Sequence, residues 1–314
     1  MEKPPVLYQE ILDYIIDFLH ADKASLRSCT LTSRLFLPSA DIHLFHLLYI
    51  DGSKQNFEDL ARFLHRTERV SKNVRELHLR GRIRSRNYYD FLPKDQITEL
   101  CLSTLRHLLD SLPFLHSLEL DHLLWTGELF HDPEVDGSSQ QQRPFRRKHL
   151  DNLILRSVIT CNALGTSIRR STIYDADYVV LLCVFAGVKK LYVEGVYSNG
   201  RTIHPQDVTR TVEALRPMIH RGTYVESLHM KWYIDSMFLF EILRCTDSVQ
   251  KLKEMEITVA NMTQVVSLQS LINDCGSCLT SLTLHTQTPA ILRDSPGKCL
   301  YPTTNNVFAS DGFC

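Results

Sequence analysis

The sequence predicts an α/β chain in which a short helical module precedes a stack of strand–turn–helix units. Three observations predict it. An apolar-x-x-apolar-x-apolar template recurs seven times between Val74 and Leu284, helical apolar spacing fills the stretches between copies, and the first fifty or so residues carry helical spacing alone.

Composition suits that architecture. The 314 residues hold 35 basic and 36 acidic side chains for a net charge of −1, with 44% hydrophobic and 23% charged residues. This is a globular balance with enough apolar mass for a large core. A balanced charge gives no drive toward nucleic acid or an anionic membrane, so neither is expected as a partner. Only 12 glycines occur, and no GxGxxG or GxxxxGK[ST] loop, so the phosphate-cradling nucleotide folds are not expected. Met1 to Pro5 lack the layout of a secretory leader. No apolar run approaches the ~20 residues that span a bilayer. Nine cysteines, several inside apolar segments, suit a reducing compartment, so the expected location is the cytoplasm, the nucleus or both.

In chain order, residues 1–50 read as the helical module. Tyr8 to Leu19 carries Ile11, Leu12, Ile15, Ile16, Phe18 and Leu19, an apolar stripe too wide for one neighbouring helix. Asp22 can cap a second helix bearing Leu26 and Cys29, with Leu31 and Ser33 to Pro38 following. A third helical stretch continues toward Leu44, Phe45, Leu47 and Leu48. So apolar a unit of this size cannot bury its own surface, and the surplus must face the rest of the chain or another protein. Residues 51–73 read as a linker with a capping helix, where Asn56 precedes Phe57, Leu60, Phe63 and Leu64.

Residues 74–289 hold the template copies: VRELHL from Val74, LHSLEL from Leu115, LDNLIL from Leu150, VKKLYV from Val188, VESLHM from Val225, LKEMEI from Leu252 and LTSLTL from Leu279. Their first positions are 41, 35, 38, 37, 27 and 27 residues apart, one short unit with loops inserted into its earlier copies. A polar stretch at 131–149 reads as one such flexible insertion. Between the copies, helices are expected over Thr98 to Leu112, Asp175 to Phe185, from Pro205, over Asp235 to Leu243 and over Thr263 to Ile272. Ile97-x-x-Leu100-x-Leu102 also fits the strand template, but it runs into the Thr98 pattern and is read as helix. Residues 290–314 lose periodicity and read as an irregular or disordered tail, or as a segment draped over the last strand's edge.

Neither the strand edge nor the helix stripe of one unit buries itself alone, so stacking is required. The pattern resembles a leucine-rich-repeat solenoid: a curved array with parallel strands on the concave side and helices on the convex side. It lacks the regular Asn after the strand. Side chains alternate along each strand, so the outward middle column is His78, Glu119, Ile154, Tyr192, His229, Glu256 and Thr283. Its signs are mixed, and no Arg/Lys cluster of the kind that reads phosphorylated peptides is evident. Ile154 and Tyr192 form its best apolar anchor.

Two segments carry a more specific resemblance. Leu7 to Leu19, LYQEILDYIIDFL, is similar to the first helix of the F-box, and Asp22 to Phe36, DKASLRSCTLTSRLF, is similar to its second segment. With the repeats, the chain resembles the F-box proteins with degenerate leucine-rich repeats abundant in mushroom-forming fungi. It departs in having Tyr8 at the motif's early proline and Phe36 at its tryptophan. The resemblance implies a substrate-recognition adaptor of an SCF-type cullin–RING ubiquitin ligase. Leu7, Ile11, Ile15, Leu31 and Phe36 would bind a Skp-type adaptor, and the concave residues His78, Glu119, Ile154, Tyr192, His229 and Glu256 would hold a protein substrate. The residues themselves leave open a different class, a stand-alone repeat scaffold whose N-terminal helices merely cap the stack.

Other chemistry is weak. Cys275-Gly276-Ser277-Cys278 is a lone CxxC without the further ligands zinc needs. The histidines scatter without HExxH, and the basic clusters Arg80 to Arg86 and Arg143 to Lys148 read as solvated loops. No GxSxG, acid pair or nucleophile–base pattern stands out. Neither an enzymatic activity, a metal nor a cofactor is expected.

Overall fold

The computed structural model describes residues 8–81, 98–126, 147–160, 181–194, 222–231, 236–259, 262–287 and 304–307, with a few positions between 208 and 219. The chain is a mixed α/β protein with helices at its N-terminus and a mostly parallel sheet.

The helices come first: α1 (Gln9–Phe18), α2 (Lys23–Thr32), a 3-10 turn (Arg34–Phe36) and α3 (Leu37–Phe45). The expected cap at Asp22 is present, its carboxylate accepting from the N–H groups of Ala24 (3.1 Å) and Ser25 (3.0 Å). These elements close around Ile16, Leu26 and Ala40, with Leu19, Cys29, Phe36 and Leu44 packed against them.

The third helix is shorter than expected. It stops at Phe45, and Leu47–Asp51 is a strand, β1. Phe45-x-x-Leu48-x-Ile50 is in fact an eighth copy of the repeat template. A short apolar run does not by itself distinguish helix from strand, and here pairing with the next strand decides. Residues 51–73, read as a linker with a capping helix, are largely helical. They form α4 (Phe57–Arg66), capped as expected by the Asn56 side chain accepting from Glu58 N–H at 2.8 Å, and α5 (Glu68–Ser71).

The remaining elements are β2 (Glu76–Arg80), β3 (Glu99–Cys101), α6 (Leu102–Ser111), β4 (Ser117–Asp121), β5 (Leu124–Thr126), β6 (Lys148–Arg156), β7 (Ile159–Thr160), β8 (Phe185–Glu194) and β9 (Val225–Lys231). After them come α7 (Ser236–Arg244), α8 (Ser248–Lys251), β10 (Glu254–Val259), α9 (Met262–Cys275), β11 (Ser281–Gln287) and β12 (Thr304–Val307). One nine-stranded sheet has the order β1-β2-β4-β6-β8-β9-β10-β11-β12, parallel throughout except for the last pair.

All seven expected template copies supply strands of this sheet, and they pair in register over the template positions, the one shift between β6 and β8 falling before them at Lys148/His149. Leu48, Leu77, Leu118, Leu153, Leu191, Leu228, Met255 and Leu282 form one continuous row across it. A one-residue slip would turn that row to the other face, which is why register is so strongly specified. These side chains pack with Leu60 and Leu64 of α4, Leu105 and Leu108 of α6, Leu239 and Phe240 of α7, and Leu268 and Leu271 of α9 in one core. Gly187 lies where the backbone of β8 meets the Tyr224 ring: a Cβ there would sit 2.4 Å from it.

Two further expectations need correction. Residues 99–101, read as the start of a helix, form β3, which pairs with β5 and β7 in a separate parallel sheet anchored by buried Leu100 and Trp125. The helix follows only from Leu102. Phe185, expected to end a helix, instead opens a ten-residue strand, with helical residues only at 181–183 in the described part of that segment. In the tail, 304–307 pairs antiparallel with β11, the draped alternative of the two. Residues 131–146, Pro205, 82–86 and the rest of the tail lie outside the described residues.

Candidate functional site

Two surfaces carry the sequence-predicted residues. The first is the outer side of the N-terminal helices. Helix α1 buries Leu12 and Ile16, while Tyr8, Ile11, Tyr14, Ile15 and Phe18 are exposed. At 100° per residue the exposed set occupies one broad stripe beside the buried one, so the helix is apolar over about half its circumference. Phe18 is 81% and Leu31 89% exposed, an unusual state for large apolar side chains, and Leu35 and Ile42 add to the surface.

Of the residues expected to bind an adaptor, Ile11, Ile15 and Leu31 point outward. Phe36 is half-buried, its ring packed against the Ile16–Leu26–Ala40 core. Leu7 lies outside the described residues. Tyr8, Tyr14, Phe18 and Leu35 belong to the surface but were not singled out. Their signal was the excess width of the apolar stripe. The module is tied to the sheet by Asp41 of α3, which is buried and accepts two hydrogen bonds from the Arg69 guanidinium, one of 2.7 Å.

The second surface is the polar face of the large sheet, opposite its helices. Register places His78, Glu119, Ile154, Tyr192, His229 and Glu256 in one row, extended by Thr283 and, unforeseen, by Tyr49 of β1. Two carboxylates organise it. Glu119, nearly buried, is paired with Arg156 and lies 3.6 Å from His78 Nδ1. Glu256 accepts from His229 Nδ1 (3.0 Å) and His285 Nε2 (3.2 Å), with Lys231 Nζ at 3.8 Å. The His229 hydrogen bond, aided by Lys231, holds the Glu256 carboxyl below the usual glutamate range despite its partial burial. The Tyr192 ring stacks on His229, centroids 4.6 Å apart and planes 14° apart, beside Ile154.

The adjoining row, Asp51, Arg80, Asp121, Arg156, Glu194 and Lys231, alternates in sign from strand to strand. Arg80 lies 3.5 Å from Asp121, and Arg156 lies 3.6 Å from Glu194. The face is thus rich in charge yet compensated internally, with Ile154 and Tyr192 as its apolar centre.

Cys275 is the last residue of α9, and burial pushes its thiol up to about 11, which keeps it protonated at neutral pH. Among the described residues no group of His, Cys, Asp and Glu is arranged to hold a metal ion, and no helix is long and apolar enough to cross a membrane. A scan of protein-family models and a search of curated proteins each returned no match for this chain.

Proposed function

We propose that the chain is a substrate-recognition adaptor of an SCF-type cullin–RING ubiquitin ligase, built as an F-box-like module joined to a leucine-rich-repeat solenoid. The observation that carries the reading is the outward apolar stripe of Ile11, Tyr14, Ile15 and Phe18, with Leu31, on a module whose own core is already closed. Helices that merely capped the stack would spend that stripe on the sheet's core. Instead the two cores are separate clusters, and the stripe remains free for a Skp-type adaptor. Burying such side chains yields about 25 cal/mol per Å² of apolar surface, the ordinary chemistry of an interface centre. The register-locked row from His78 to Glu256 then serves as the holding surface for a protein substrate, with ubiquitin transfer left to the bound ligase.

Co-purification with a Skp-type adaptor tests this. The expected result is capture by the wild-type chain and loss of capture in Ile11→Asp and Leu31→Asp, both still folded by circular dichroism. If the wild type captures no adaptor, or both variants capture it as well as the wild type, the reading fails and a stand-alone scaffold takes its place.

A further inference from the structure

The two lateral edges of the nine-stranded sheet are finished differently. At one, β12 runs antiparallel along β11, with Val307 opposite Leu284. At the other, among the described residues, β1 is paired on one side only. His46 C=O accepts from Glu76 N–H (2.9 Å) before the strand, and Gly52 N–H donates to Arg80 C=O (2.7 Å) after it. Bonding direction alternates along a strand, so Leu48 and Ile50 bond to β2 while Leu47, Tyr49 and Asp51 turn their N–H groups to the free edge. The carbonyls of Leu47 and Tyr49 face the same way. That of Asp51 is taken by the turn, accepting from Lys54 (2.9 Å) and Gln55 (3.1 Å).

The protection of this edge is limited to its shortness and to Asp51 at its end. Leu47 to Asp51 holds no lysine, proline or bulge, and the Leu47 and Tyr49 side chains are 42% and 53% exposed. The helical layer is bare on the same flank. The side of α4 that faces α6 is the one bearing Glu58, Arg62 and His65. Helical geometry puts Phe63, 51% exposed, on the opposite side, alongside the free edge.

We propose that this flank is a self-association surface, on which a second copy of the chain adds its own β1 antiparallel about a two-fold axis at Tyr49. The strand is self-complementary in that arrangement. Tyr49 meets Tyr49 of the second copy with N–H to C=O bonds in both directions, and each Asp51 N–H reaches the other copy's Leu47 C=O. On the core face, Leu48 lies opposite Ile50 in both directions. The two Phe63 rings approach across the axis beneath the joined strands. Such an isologous contact closes on itself. Head-to-tail stacking would set β1 against the far edge, where the terminal strand β12 has only four residues to pair with. A buried aromatic covers about 150–250 Å², so these half-exposed side chains from two copies remove on the order of 500 Å² of apolar surface. That lies well under the roughly 1,200 Å² where stable interfaces begin, so the dimer is weak and reversible.

Sedimentation velocity of the full chain over a wide concentration range tests this. The wild type should shift from monomer to dimer as concentration rises. Tyr49→Lys sets like charges directly opposite each other and should weaken dimerisation about tenfold or more. Phe63→Asp should weaken it through the helical layer, and both variants should keep the wild-type circular dichroism spectrum. A wild type that is monomeric throughout, leaving the edge to a foreign strand, overturns the proposal. So does a dimer that neither variant weakens.

Discussion

The N-terminal helices and the parallel sheet treat apolar and polar surface in opposite ways. The helices close a small core of Ile16, Leu26 and Ala40 and leave Tyr8, Ile11, Tyr14, Ile15, Phe18 and Leu31 exposed. The sheet gathers its leucines into one large core, and its polar face neutralises its own charges through Glu119, Arg156 and Glu256. An exposed apolar stripe gains stability when another surface covers it. A compensated polar face has no such drive and can afford selectivity instead. In the function proposed above, the helices would supply affinity for the adaptor and the sheet discrimination among substrates.

The largest expected effect breaks the sheet side. Leu191→Ala removes a fully buried side chain from the central row, and should cost about 2–5 kcal/mol in denaturant-unfolding experiments. Leu31→Asp is the contrast: fully outward, it should change stability by no more than about 0.5 kcal/mol while abolishing adaptor capture. Next comes the joint between the regions. Arg69→Ala strands the buried Asp41 carboxylate, with an expected loss of roughly 3 kcal/mol and faster proteolysis between α3 and β1.

Caps give smaller changes. Asp22→Ala and Asn56→Ala should each cost about 1 kcal/mol, the first destabilising only the module and the second the first unit of the sheet. Acid sharpens the comparison further. Because the folded-state pKa of Glu256 is lowered, its contribution to stability is full above the ordinary glutamate range and is lost as pH falls through the lowered value. A thermal melt series into acid should therefore flatten in Glu256→Gln relative to wild type.

Much of this was legible in the sequence. Parallel in-register pairing demands apolar residues at two fixed positions of every strand, so Leu77 and Leu79 or Leu118 and Leu120 announce both strand and face. The core partners on α4, α7 and α9 follow from helical spacing. What misled was continuity of apolar character. Phe45 to Ile50 and Leu100 to Leu102 each carry the strand template, yet each adjoins a helix, and only pairing to a neighbour decides between the two states. How much of the Phe36 ring stays outside depends on how the helices pack around it, and it is half-buried. The charge pairing on the polar face rests on contacts between residues about 30 to 40 positions apart, such as Glu119 with Arg156, which no local pattern encodes.

The most direct test of the division between the two regions is amide hydrogen exchange on the chain alone and with saturating Skp-type adaptor. The expected result is added protection over α1 and residues 31–35, with β8 and β9 unchanged. Unchanged exchange over α1, or protection confined to the sheet's strands, would contradict the assignment of the helices as the docking region.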